Sequence, residues 1–209
     1  MDAQETEVYK GHTIELHVDP DPESPREWDN LAEMHLFHNN YAFGDTNYAR
    51  TMDLHVDAVE EAKENGDLIF PFYMYDHSGI TISLAPFSCG WDSGQVGYMI
   101  ARKEAVFAEF SCKRWSGAIR DKVAQIVKSE VETMDYFITG QVYGYVVDPD
   151  GYNESCWGYY GDSDYCLQEA RTQVDWMIEK KTKQHIDQVK QWIKNSVPLL
   201  NREPLYTGA

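Results

Sequence analysis

The chain has 209 residues, 43% of them hydrophobic, with 35 acidic against 18 basic side chains and a net charge of -17 with histidine neutral. That length encloses a core without disulfide or metal staples, and 14 Tyr with 6 Trp exclude a disordered acidic chain. No run reaches the roughly eighteen apolar residues of a membrane helix, and the opening MDAQETEVYK has no basic-then-apolar leader pattern, so a cytoplasmic location with no membrane partner is expected.

Cys89, Cys112, Cys156 and Cys166 form no CxxC pair, which excludes zinc-knuckle and thioredoxin chemistry by spacing. Reduced, mostly buried thiols are expected. Charge is uneven: Tyr165 to Ala209 carries seven Lys/Arg against five acids, whereas the preceding body is acidic. Direct nucleic-acid binding by the body is therefore not expected.

Taken in order, residues 1–11 are polar and expected to be loosely held. His12 to Val18 alternates as a half-buried strand, and DPDPESP then holds the backbone extended. Ser24 as N-cap, Pro25 at the first position and Glu27 at the third predict a helix. That helix would place Trp28, Leu31, Ala32, His35 and His38 on one face.

A second helix is expected over 52–65, ended by Gly66. Leu68 to Ala85 reads as a hairpin about Asp76-His77-Ser78-Gly79, with Pro71 marking an edge or bulge. Val96 to Arg102 returns as a third strand, followed by a short helix over Lys103 to Phe110. A stronger helix carries Ile119, Val123, Ile126 and Val127 and is expected to end near Val131.

Tyr136 to Val147, the Asp148-Pro149-Asp150-Gly151 turn and Tyr152 to Tyr160 read as a second hairpin. A last helix runs from Tyr165 to about Asn195. The fold class predicted is α+β: one antiparallel sheet built from two hairpins plus the N-terminal strand, helices packed on it, and a long C-terminal helix. Residues 1–178 read as a single domain, and 179–209 as a projecting helix end and tail.

Candidate sites follow from the polar and aromatic clusters. His35 and His38, spaced i,i+3 on a helix, bring two imidazoles to one metal, with His77, Asp76, Asp92 or the Asp19/Asp21/Glu23 cluster as further ligands. No HExxH or facial-triad spacing accompanies them, and core histidines bonded to backbone or carboxylate are the commoner case. DPDPES lacks the glycine and alternating acids of a calcium loop.

Neighbours in the Asp76-His77-Ser78 turn do not point at one another as a triad does. Cys89 beside Asp92 and Ser93 needs a basic partner from elsewhere to be a nucleophile. The sequence specifies no cofactor. The better supported site is a cleft lined by Trp91, Trp157, Tyr159 and Tyr160, with Trp28 and Asp92 as further contacts, since aromatic faces stack bases and carboxylates accept from amino groups.

PREWDNL (Pro25 to Leu31), YDHSGIT (Tyr75 to Thr81), PFSCGWDSGQVGY (Pro86 to Tyr98) and SCWGYYG (Ser155 to Gly161) resemble motifs of an uncharacterised protein family of bacteriophages and prophages. The resemblance spans roughly Gly11 to Ala170. It implies an accessory protein of a mobile element that acts on host machinery or host defence, and it transfers no activity.

The resulting expectation is a protein that inhibits a host factor by binding, through nucleic-acid mimicry or by sequestering a nucleotide-like small molecule. Two alternatives stand beside it. One is a metal-assisted hydrolase using His35, His38, His77 and Asp92, and the other is a structural phage component that forms a homo-oligomer through the C-terminal helix.

Overall fold

The computed structural model describes residues 3–49, 57–149, 151 and 154–196. Its strands are β1 Glu5–Tyr9, β2 His12–Val18, β3 Glu33–Phe37, β4 Thr46–Tyr48, β5 Leu68–Asp76, β6 Ile80–Ser83, β7 Ser93–Ala101, β8 Val142–Val147 and β9 Glu154–Tyr160. Its helices are α1 Asp57–Asn65, α2 Lys103–Glu109, α3 Gly117–Ile138 and α4 Ser163–Ser196. The α+β class holds, but the strands form two sheets and not one. A four-stranded sheet has the order β1-β2-β8-β9, and a five-stranded sheet has the order β4-β3-β7-β5-β6.

The described chain divides into two compact units, one drawn from Met1–His17, Gly144–Cys156 and Ser163–Ala209, the other from Val18–Tyr143 and Trp157–Asp162. In the first, the expected loose N-terminus is instead strand β1, paired with β2 from Glu5↔Leu16 to Tyr9↔His12. Lys10 and Gly11 both have positive φ, 50° and 83°, which gives a two-residue hairpin turn whose twist matches its strands. Arg171 on α4 pairs with Glu7 at 2.7 Å and Lys10 with Asp175 at 2.7 Å. Cys166, Leu167, Ala170, Val174 and Met177 are the buried residues of α4.

In the second unit, β3 pairs antiparallel with β7 and parallel with β4, while β5 lies between β7 and β6. Val123, Val127, Val131 and Met134 of α3 pack with Met34, Leu36, Phe72, Met74, Met99 and Ala101 of the sheet. Full burial of such side chains is worth about 1.5–3 kcal/mol each. Val59 and Ala62 of α1 pack with Ile100, with Ile69 and Tyr98 beside them. The sheet is therefore covered on both faces.

That double cover explains the largest departure from the sequence reading. Ser24 does cap and Pro25 does start a turn, but the turn is a 3-10 segment over Pro25–Glu27, with the Ser24 side chain accepting from Arg26 N. The expected helix through His38 is replaced by β3, where Met34, His35, Leu36 and Phe37 are all buried. A strand buried on both faces loses the alternation that marks strands. Glu130 accepts from Leu31 N at 2.6 Å and Ala32 N at 3.3 Å, so these donors are satisfied without helix.

The β5–β6 hairpin, β7, α2 and α4 lie where the sequence places them. Pro71 sits opposite Tyr98 of β7, two residues short of where β6 pairing begins at Tyr73, and a register shift follows at Phe72/Tyr73. Helix α3 runs past Val131 to Ile138, ending at Thr139 and Gly140 (φ 72°), so β8 starts only at Val142. Residues 52–56 of the second expected helix, Tyr152 of the second hairpin and the tail from 197 lie outside the described residues. None of the four cysteines forms a disulfide. Cys166 alone is buried, its thiol pushed up to about 12 by burial with the Cys156 charge adding to it. No helix among the described residues is long and apolar enough to cross a membrane.

Candidate functional site

The second unit brings four of the predicted residues to one end of the five-stranded sheet. There the C-terminal ends of β3 and β5 meet the start of β7, because Leu36 stands opposite Gly97 and Tyr75 opposite Ser93. Gly97 is required at this crossing: a Cβ would sit 2.1 Å from His35 O and 2.3 Å from Phe72 Cε1. Asp76 N donates to Asp92 O at 2.8 Å, tying the β5 end to the β7 lead-in.

A cleft of about 400 Å³ opens there, with Phe37, Met74 and Val96 among its lining and His38, Asp76, Trp91 and Asp92 on its polar side. Trp91 is 97% exposed. Asp92 Oδ2 lies 3.4 Å from His77 Nδ1 and 3.9 Å from Cys89 Sγ. Tyr41 donates to Asp76 Oδ2 at 3.3 Å, and the His38 ring stacks on Tyr41 with centroids 4.8 Å apart. Burial, and then the Asp76 charge, raise the Tyr41 phenol above its ordinary value.

Among the described residues no Lys or Arg lines this cleft. Two carboxylates beside an exposed indole attract a guanidinium or ammonium group and repel phosphate. Among the described residues no three His, Cys, Asp or Glu side chains converge to hold a metal ion.

The remaining predicted residues lie elsewhere. On a strand, i,i+3 side chains do not share a face, so the helical juxtaposition of His35 and His38 is lost. His35 is 4% exposed, with Nε2 3.2 Å from Glu33 Oε2 and Nδ1 3.3 Å from the Tyr48 hydroxyl. Arg102 joins Glu33 at 2.8 Å and Asp67 at 3.4 Å, extending the polar chain. Burial pushes the Glu33 carboxyl up, but hydrogen bonds from Arg102 and His35 and their charges outweigh it and hold Glu33 below 4.5.

Trp28 meets the Tyr160 ring edge-on at 5.0 Å, and the Tyr160 hydroxyl donates to Glu23 O. Gly158 N donates to Asp19 Oδ2 at 3.1 Å, so the acidic DPDPES stretch is anchored at the end of β9. Trp28 also lines a groove of about 480 Å³ with Phe110, Ile126, Lys122 and Glu130. Trp157 and Tyr159 belong to β9 and, like Trp28 and Tyr160, line no part of the Trp91 cleft. The sequence reading missed Tyr41; its signal was an aromatic directly after the Asn39-Asn40 turn.

No family model matches the chain, and no curated protein or solved structure matches it either.

Proposed function

We propose that the protein works by binding and not by turnover, as a bacteriophage-type accessory factor that takes a basic segment of a host protein into the Trp91 cleft. On this reading it acts in the host cytoplasm and blocks the partner's access to nucleic acid. The observation that carries the reading is Trp91, 97% exposed, beside Asp76 and Asp92 in a cleft to which the described residues contribute no Lys or Arg. An indole left in water gains nothing for the fold. It stacks well on a guanidinium, worth about 0.5–2 kcal/mol as the pair is desolvated, and aromatic side chains of this kind are frequent anchors of protein interfaces.

Of the two binding mechanisms, mimicry is favoured over nucleotide sequestration, since the phosphates of a nucleotide would face both carboxylates. The test is calorimetric titration with a synthetic arginine-rich peptide at low and moderate salt. Affinity is expected to weaken steeply with salt and to fall at least about tenfold, or 1.4 kcal/mol, in Trp91→Ala and in the Asp76→Asn/Asp92→Asn double variant, with circular dichroism unchanged. Salt-insensitive binding, or affinity untouched in both variants, would sink the proposal.

A further inference from the structure

The far half of α4 is helical, and the described residues leave it largely exposed. Every residue from Glu179 to Ser196 is exposed except Ile193, which is half-buried. These eighteen residues span about 27 Å at 1.5 Å each. In proteins most helical stability comes from packing of an amphipathic face, and this stretch carries an apolar stripe. Ile186 is 45% exposed, Val189 40% and Trp192 64%. Ile178, Thr182, Ile186, Val189 and Ile193 fall on one face at steps of four, four, three and four residues.

The stripe is nearly symmetric about the point between His185 and Ile186. From that structure and spacing we infer that α4 is a self-association surface, on which the far half of the helix packs antiparallel against the same segment of a second copy. The two-fold axis would pass beside His185 and Ile186. Ile178 then stands opposite Ile193 of the second copy, and Thr182 opposite Val189 of the second copy. Glu179 falls within a turn of Lys190 of the second copy on one flank, and Lys181 within a turn of Trp192 of the second copy on the other.

The near-symmetry of the stripe selects a second copy as occupant, and charge selects its direction. Lys180, Lys181, Lys183, Lys190 and Lys194 against Glu179 and Asp187 give this stretch +3, so the rest of the chain carries -20 of the total -17. A parallel pair would bring the two first units, acidic apart from this stretch, to the same end, whereas an antiparallel pair holds them about 27 Å apart along the helix axis, beyond the screening length of about 8 Å at physiological salt. Antiparallel packing also opposes the two helix dipoles favourably. Two Trp192 rings at about 150–250 Å² each supply a third or more of the roughly 1,000 Å² that a specific interface needs.

Sedimentation equilibrium of the full chain tests this. The expected mass is twice 24.1 kDa, and Ile186→Lys/Val189→Lys is expected to give a monomer with an unchanged tertiary melting transition. Direction is read by mild oxidation: Ile186→Cys should cross-link to itself, while Thr182→Cys, displaced by seven residues from its own equivalent, should not exceed the wild-type background. A wild-type monomer at about 100 μM, a dimer indifferent to the double lysine variant, or equal cross-linking at 182 and 186 overturns the inference. So does a chain that stays monomeric and co-sediments with phosphatidylserine vesicles, which would assign the stripe to an anionic lipid surface.

Discussion

At the scale of single residues, Glu130 is the side chain of α3 that satisfies the backbone leading into β3. It accepts from Leu31 N at 2.6 Å and Ala32 N at 3.3 Å, and Arg26 Nη1 lies 3.7 Å away. Arg26 is otherwise held by Asp45, which also accepts from Met34 N at 2.7 Å. Glu130→Ala leaves these donors facing an apolar methyl, and a loss of about 2–4 kcal/mol is expected in urea unfolding at neutral pH. Burial raises the Glu130 carboxyl above 4.5, and the two backbone donors and Arg26 pull it back without cancelling that rise. A raised carboxyl means that the native state holds the proton more tightly than the unfolded chain. The part of stability linked to this proton is thus fully present below 4.5 and declines as pH rises through the folded value. Unfolding measured across that window should show this decline in the wild type and not in Glu130→Ala.

Among the elements, β6 is an edge strand, and α3 closes it. Asp135 accepts from Thr81 Oγ1 at 2.7 Å and from Ile82 N at 2.7 Å, so an outward-pointing backbone donor is already taken. Edge strands left open recruit other strands, and this cap blocks the side on which a second hairpin could have joined the same sheet. Asp135→Ala is expected to cost about 1–3 kcal/mol and to speed thioflavin-positive aggregation, whereas Asp135→Asn, which keeps an acceptor, should lose less. Equal aggregation in both variants would count against the cap. The β5–β6 hairpin and the helices with one covered face were legible in the sequence, as Leu68 to Ser83 and the Val123-Val127 stripe illustrate, whereas β1 was not. Strand β3 was not, because burial on both faces makes Met34 to Phe37 a continuous run that a helical period fits equally well. The end of α3 at Gly140 was not legible either, since the apolar residues on either side of it continue both a strand and a helix reading. The cleft was half legible: Trp91, Asp92 and His38 were visible as types, but their meeting depends on β3 being a strand that ends beside β7.

For the whole molecule, net charge decides how stability answers to salt. The pairs Lys10–Asp175 and Arg171–Glu7 are solvent-exposed on their basic side, and such pairs contribute little, which salt weakens further. Against them stands a chain of -17, whose self-repulsion opposes the compact state and is screened by the same salt. Repulsion should win, and the melting temperature is expected to rise by about 2–4 °C between low and moderate sodium chloride, as relief of about 1 kcal/mol would give. A fall would mean that the local pairs outweigh the net charge. Trp91 stands apart from this balance, because at 97% exposure its side chain contributes almost no packing. The fold is indifferent to what occupies position 91. A saturation library sorted once for expression and once for capture of a basic peptide should therefore tolerate all residues there in the first sort and few in the second. Folding and recognition would then be separable at the level of one codon.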